Sequence, residues 1–199
     1  MGKKDALEEL KKEIEADKNL PLFGTANLVF GEGDPEAEVM FIGEAPGFYE
    51  DKLGRPFVGQ AGKLLDKLLA SIGWPREAVY PHTKGFGVGV YITNIVKRRP
   101  PENRDPLPDE IAAYKPYLKK QIQTIDPKII APLGRFAMNY FLPKAKISLD
   151  HGKAYTLRGK IIYPLYHPAA ALRSTAVLKD LEADFRRLPK LLKMATREL

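Results

Sequence analysis

Gly159-Lys160-Ile161-Ile162-Tyr163-Pro164-Leu165-Tyr166-His167-Pro168-Ala169-Ala170-Ala171-Leu172-Arg173 is the stretch from which the fold can be read. Its apolar run, residues 161–165, is short and bounded by Gly159 and Pro168, as a buried strand should be. A helical pattern follows it. A single imidazole, His167, therefore stands where a strand hands over to a helix, and in an open α/β sheet that edge is where ligands bind. Pro168 stiffens the turn, and Arg173 lies six residues beyond the histidine. On this stretch alone, a histidine merely satisfied in a strand-end turn accounts for the residues equally well. The rest of the chain decides between the two.

Three further apolar runs read as strands: residues 38–42, 90–93 and 128–133. The first is broken sharply by Gly43-Glu44-Ala45-Pro46-Gly47. Helical spacing appears between them. Leu7, Leu10 and Ile14 mark an amphipathic helix over 3–17, and Leu64, Leu65, Leu68, Leu69 and Ile72 mark one from Ala61, stopped by Gly73 and Pro75. Further helices are expected over about 108–124, with a kink near Pro116, over 135–141, and within 175–195. Residues 19–33 read as loop with one extended piece at 27–30, residues 47–59 as polar loop, and residues 80–89 as a glycine-rich loop or hairpin. Residues 97–106 hold too many prolines for regular structure. Residues 154–159 read as a hairpin into the fourth strand. Strands alternating with helices predict a parallel sheet covered on both faces. With no repeat, low-complexity tract or linker, residues 1–199 read as one domain, with the helix and loop of residues 1–20 packed on it.

Charge and composition bound the function. Lys and Arg number 32 against 25 Asp and Glu, a net charge of +7, which suits a polyanionic partner. No apolar run approaches the ~18 residues needed to span a bilayer. The first residues turn acidic without an apolar signal core, so a cytoplasmic protein away from membranes is expected. The chain has no cysteine, which excludes disulfides, thiolate catalysis and thiolate metal sites. His82 and His151 fall in loops without paired ligands and read as surface residues. No metal site is expected.

Parallel strands would bring three loops to one edge: Gly43-Glu44-Ala45-Pro46-Gly47, Asn94 with its basic sequel, and His167-Pro168. Together with Phe57 they offer exposed backbone, a carboxamide, an imidazole and an aromatic ring. A carboxamide can pair with an amide-like base edge, a ring can stack on a flat heterocycle, and an imidazole can donate to an oxygen gaining negative charge. A pocket for a flipped nucleobase needs those groups.

Six segments, in order, carry a resemblance. They are Val29-Phe30-Gly31-Glu32-Gly33, Gly43-Glu44-Ala45-Pro46-Gly47, Gly54-Arg55-Pro56-Phe57-Val58-Gly59-Gln60-Ala61-Gly62, Ile92-Thr93-Asn94-Ile95-Val96-Lys97, Arg99-Pro100-Pro101-Glu102-Asn103-Arg104 and His167-Pro168. The chain resembles family 4 of the uracil-DNA glycosylases over roughly residues 20–190. The resemblance implies a three-layer α/β/α sandwich with a four-stranded, mainly parallel central sheet. It also implies hydrolysis of the N-glycosidic bond of deoxyuridine in DNA, in single or double strands, by a monomer. Carried over by position, Phe57 would stack on uracil and Asn94 would bond its Watson–Crick edge. His167 would stabilise the charge at uracil O2. Gly43, Glu44 and Ala45 would line the pocket through backbone groups, Glu50 would sit beside the base, and Asn103 would help position water or DNA. Lys97, Arg98 and Arg99 would meet phosphates. Pro168, Ala169, Leu172 and Arg173 belong to the segment that would enter the minor groove, with Leu172 as wedge.

Each position also has a structural account. Phe57 can be core, Asn94 a strand-end cap, Glu50 and Asn103 solvated loop residues, and the basic run an ordinary charged face. Two departures from the family stand out. Its members hold a four-iron cluster on four cysteines, whereas here the third and fourth positions are Arg98 and Tyr114 and the first pair falls near residues 17–20. No cluster can form by thiolate ligation, so no cofactor is expected. Residues 81–89 are inserted ahead of the second strand, and the chemistry of a cross-linking relative, whose nucleophilic histidine follows the Asn94 position, does not transfer to His82. The competing functions are a non-catalytic DNA-binding module of the same fold and a glycosylase for another deaminated base, such as hypoxanthine.

Overall fold

A computed structural model describes residues 2–74, 76 and 89–197. The reading of residues 80–88, and of His82 among them, lies outside the described residues. The chain begins with helix α1 (Lys3–Ala16), the two-residue strand β1 (Glu32–Gly33), and strand β2 (Val39–Gly43). Helices α2 (Phe48–Leu53) and α3 (Gln60–Ser71) follow, then β3 (Val90–Asn94) and α4 (Pro108–Ile125). Next come β4 (Ile129–Pro132), α5 (Arg135–Phe141), α6 (Ile147–Asp150), the hairpin β5 (Tyr155–Leu157) and β6 (Lys160–Ile162), α7 (Pro168–Ala171) and α8 (Thr175–Arg197).

The sheet order is β1-β3-β2-β4-β6-β5. β3, β2, β4 and β6 run parallel, while β1 and β5 pair antiparallel at the edges. The sheet is therefore six-stranded and mixed, not four-stranded. Of the two extra strands, β5 is the hairpin partner expected at residues 154–159, and β1, at two residues, is too short to leave a hydrophobic period in the sequence. α2 is likewise a correction, since six residues with no buried side chain show no apolar stripe. Residues 27–30 form no strand; instead the Val29 N–H bonds the Lys97 carbonyl at 2.8 Å. α4 continues through Pro116.

Period-two alternation settles the layers. Val39 and Phe41 of β2 face one core with Leu65, Leu68 and Leu69 of α3 and Leu181, Phe185 and Leu188 of α8. Met40 and Ile42 face the other, with Leu7, Leu10 and Ile14 of α1 and Tyr114, Leu118 and Ile125 of α4. Each large apolar side chain buried this way contributes ~1.5–3 kcal/mol.

The topology also places a crevice. From β2 the chain moves to one side for β3 and to the other for β4, so the connections diverge at the carboxyl end of β2. Ligands bind at such switch points in open α/β sheets. Gly43 is paired with Asn94 in the β2–β3 register, and the Gly134 N–H bonds the Leu165 carbonyl at 2.8 Å. All four strand ends thus open on one edge.

Candidate active site

At that edge lies a cavity of about 640 Å³, lined among others by Glu44, Ala45, Glu50, Phe57, Asn94, Asn103, Tyr166 and His167. Ala169 and Arg173 line it as well. The three strand-end loops contribute to one space, as parallel strands require. Gly43 lies directly beneath. A Cβ there would come within 2.4 Å of Asn94 Oδ1 and 2.5 Å of the Phe57 ring, so the close approach of both groups depends on the missing side chain.

His167 caps α7. Its Nδ1 accepts the Ala169 N–H at 3.0 Å. A ring nitrogen that accepts carries no hydrogen, so in the neutral ring the proton belongs to Nε2. Burial pushes the imidazole down to about 4, against the opposing pull of the Glu50 carboxylate. The ring is therefore neutral at pH 7, with one N–H donor available.

Asn94 is almost fully buried at the end of β3, and among the described residues its carboxamide makes no hydrogen bond. The carboxamide keeps its full donor and acceptor set within the cavity. Lys97 holds it from behind: the lysine Nζ donates to Thr93 Oγ1 at 2.6 Å and to the Asn94 carbonyl at 2.7 Å.

Phe57 has φ 53°, the left-handed region that a phenylalanine rarely occupies. Its neighbours impose that conformation. Glu50 Oε1 accepts the Val58 and Gly59 N–H groups at 2.8 Å each. Arg76 donates to the Pro56 and Phe57 carbonyls at 2.9 and 2.8 Å. Gly62 leaves room for the Phe57 carbonyl, which would stand 1.8 Å from a Cβ. The ring itself lies 5.6 Å from the His167 ring at an interplanar angle of 27°. Arg76 and Gly62 had no motif-independent signal in the sequence. Their roles appear only once the loop is folded.

Glu44 contributes its side chain as well as its backbone. Burial, and secondarily the charge of Asp105, raise its carboxyl to about 7, with Arg135 opposing. Asn103 also has positive φ, 55°, and its Oδ1 accepts the Arg99 Nε–H at 2.6 Å.

Two residues expected to meet phosphates do not face solvent. Lys97 is fully buried, and burial holds its amine well below the ordinary lysine value. Arg98, 4% exposed, donates to the Tyr114 hydroxyl at 3.2 Å and lies 5.2 Å over the Phe23 ring. A run of three basic residues reads as a solvated face, but at the end of a central strand the chain is still inside the molecule. Pro168 is buried too, at the first position of α7. Arg99 is half-buried, while Leu172, 52% exposed, and Arg173 remain at the surface. His151 is also not a free surface histidine. Its Nδ1 lies 2.7 Å from Asp184 Oδ2, and its ring packs 4.4 Å from that of Tyr166.

The iron–sulfur cluster that the resemblance implies does not fit the residues present. The chain has no thiolate. Among the described residues, no group of three or more His, Asp or Glu could hold a metal ion. The corner is filled instead. Tyr114 is fully buried and its hydroxyl donates to the Pro21 carbonyl at 2.7 Å; Tyr117 donates to Asp17 at 2.7 Å, and Leu20 is buried beside them. Among the described residues no helix is long and apolar enough to cross a membrane.

Comparison with known proteins agrees with this geometry. Residues 30–190 match the family model of the uracil DNA glycosylase superfamily. A Type-4 uracil-DNA glycosylase of Sulfurisphaera tokodaii is 46% identical over 198 residues, covering 94% of this chain and 85% of that protein. The Type-4 enzyme of Archaeoglobus fulgidus is 41% identical, covering 94% of each chain, and that of Thermotoga maritima 37%, covering 90% and 93%.

Proposed function

The chain belongs to the uracil DNA glycosylase superfamily, and from that premise we propose how its cavity hydrolyses the N-glycosidic bond of deoxyuridine in DNA. Cleavage leaves an anionic base and a cationic sugar. Neutral His167, with its proton on Nε2, donates to uracil O2 as charge gathers there. Asn94 pairs with the base edge through its unspent carboxamide, and Phe57 stacks on the ring. The cationic sugar is stabilised by the DNA phosphates and by the Glu44 carboxylate. Asn103 helps to position water or the strand. Glu50 acts through the Phe57 loop, which its carboxylate holds. The observation that carries this reading is one cavity lined both by the Asn94 carboxamide, with no hydrogen-bond partner among the described residues, and by an imidazole whose tautomer leaves one donor.

The reading extends to a single-domain monomer in the cytoplasm that acts on single strands and on U·G pairs without a cluster. Arg99, Ala169, Leu172 and Arg173 would contact the DNA, Leu172 as the wedge. Among the competing readings, a non-catalytic module gives no reason for a carboxamide kept free at the cavity floor.

The test is excision from a uracil-containing oligonucleotide. An abasic site should form, and the strand should break only after alkali. His167→Ala should lower the single-turnover rate by ~10²–10³, as for loss of one oxyanion donor, with DNA affinity retained. Absence of abasic sites on both substrates would refute the activity, and a variant within threefold of wild type would remove His167 from the role.

A further inference from the structure

Two aromatic rings at the cavity rim take no part in the chemistry above. Phe48 and Tyr49 open α2, between Gly47 and Glu50, both of which line the cavity. Their exposures are 51% and 60%, and the rings meet edge to face with centroids 5.4 Å apart at 82°. Scattered apolar residues on a surface need no explanation, but Leu53 on the same short helix is 60% exposed as well. The Arg99 guanidinium lies 5.2 Å over the Phe48 ring. The same guanidinium donates to Asn103, a cavity residue. A cation, an open ring and the cavity are thus joined by direct contacts.

We infer that Phe48 and Tyr49, with Arg99, form a stacking platform for unpaired nucleobases flanking the uracil in single-stranded DNA. This rests on the proposed function in one respect: the strand must pass the cavity mouth. Aromatic rings beside positive charge bind single strands because every base presents a π-face and every nucleotide a phosphate. The contact is tolerant of sequence, as a repair enzyme requires on either side of its target. In a duplex the neighbouring bases are stacked on one another and offer no face, so the platform serves single strands only. Duplex substrate would use the α7 end instead, where Leu172 is exposed.

The experiment compares wild type with two double variants, Phe48→Ala/Tyr49→Ala and Phe48→Leu/Tyr49→Leu. The leucine pair keeps apolar area and removes the π-faces, so it separates stacking from hydrophobic docking and serves if the alanine pair misfolds. Binding to a uracil-free oligothymidylate is measured by fluorescence anisotropy, and single-turnover excision on a single strand and on a U·G duplex. Both variants should weaken oligothymidylate binding by about tenfold or more, a loss of ~1.4 kcal/mol or more. Single-strand excision at subsaturating protein should fall by a similar factor, and U·G duplex excision should stay within about twofold. Wild-type affinity in the leucine variant, or equal losses on both substrates, would overturn the platform. A wild-type protein that binds oligothymidylate through these rings but excises nothing would overturn the proposed activity and leave the platform standing.

Discussion

Glu44 in the sequence is one acid in a five-residue turn; in the folded chain it is a carboxyl raised to about 7 inside the cavity, chiefly by burial. If its ionised form stabilises the cationic sugar, the single-turnover rate should rise with pH through about 7. His167, held down to about 4, stays neutral throughout that range. Glu44→Gln should abolish the inflection and hold the rate near the low-pH level of wild type; an unchanged profile would exclude Glu44 from the chemistry. The same shift fixes a sign for stability. Between 4.5 and about 7 the native protein keeps a proton that the unfolded chain has lost, so this group makes stability fall as pH rises through that window. His167 acts in the opposite direction between about 4 and 6.5, where the unfolded chain binds the extra proton. Urea unfolding at pH 5 and pH 8 should therefore show Glu44→Gln gaining stability relative to wild type at the higher pH.

Two elements turn local geometry into a site. The segment joining α2 to α3 holds Phe57 in a left-handed conformation that costs ~1–3 kcal/mol and survives because Glu50, Arg76 and Gly62 leave it no alternative. β3 does the corresponding work for Asn94, and Lys97 is part of that strand's ending. Lys97→Met keeps an unbranched apolar stem and removes the ammonium with its two hydrogen bonds. Excision should slow, because the Asn94 carbonyl loses its anchor. The slope of log K for DNA against log salt should stay as in wild type. A slope shallower by ~0.9 would mean that Lys97 meets a phosphate after all.

Across the whole molecule, the corner where α1, α4 and the loop after β3 converge is held by side chains. The Tyr114 hydroxyl links Arg98 to the Pro21 carbonyl within a core that includes Leu10, Ile14 and Leu20. Tyr114→Phe keeps the ring and deletes that link, leaving a buried guanidinium and a carbonyl without their partner. The loss should be ~1–3 kcal/mol, several degrees in melting temperature. Chelator should leave the wild-type melting temperature unchanged, and purified protein should contain no stoichiometric iron. A melting temperature lowered by chelator would show that a metal holds the fold after all, and an unaltered Tyr114→Phe would show that other contacts carry this corner.

The sequence by itself determined the order of elements and the edge on which the site sits. The unbroken apolar run of 39–42 marks a strand buried on both faces, leucine stripes mark the covering helices, and parallel strands must deliver Glu44, Asn94 and His167 to the same end. Those features are local, so periodicity and turn residues report them directly. The edge strand β1 and helix α2 escaped because two or six residues without an apolar stripe leave no period to read, while the β5 edge was legible as the hairpin at residues 154–159. What only the tertiary structure decided is the state of individual groups. The inward turn of Lys97 and Arg98, the proton on His167 Nε2, the value of the Glu44 carboxyl and the backbone of Phe57 all depend on burial and on neighbours brought from distant parts of the chain. Charge in a sequence is a property of a residue type, whereas solvation and partnership are properties of a place, and that place exists only after the layers have closed.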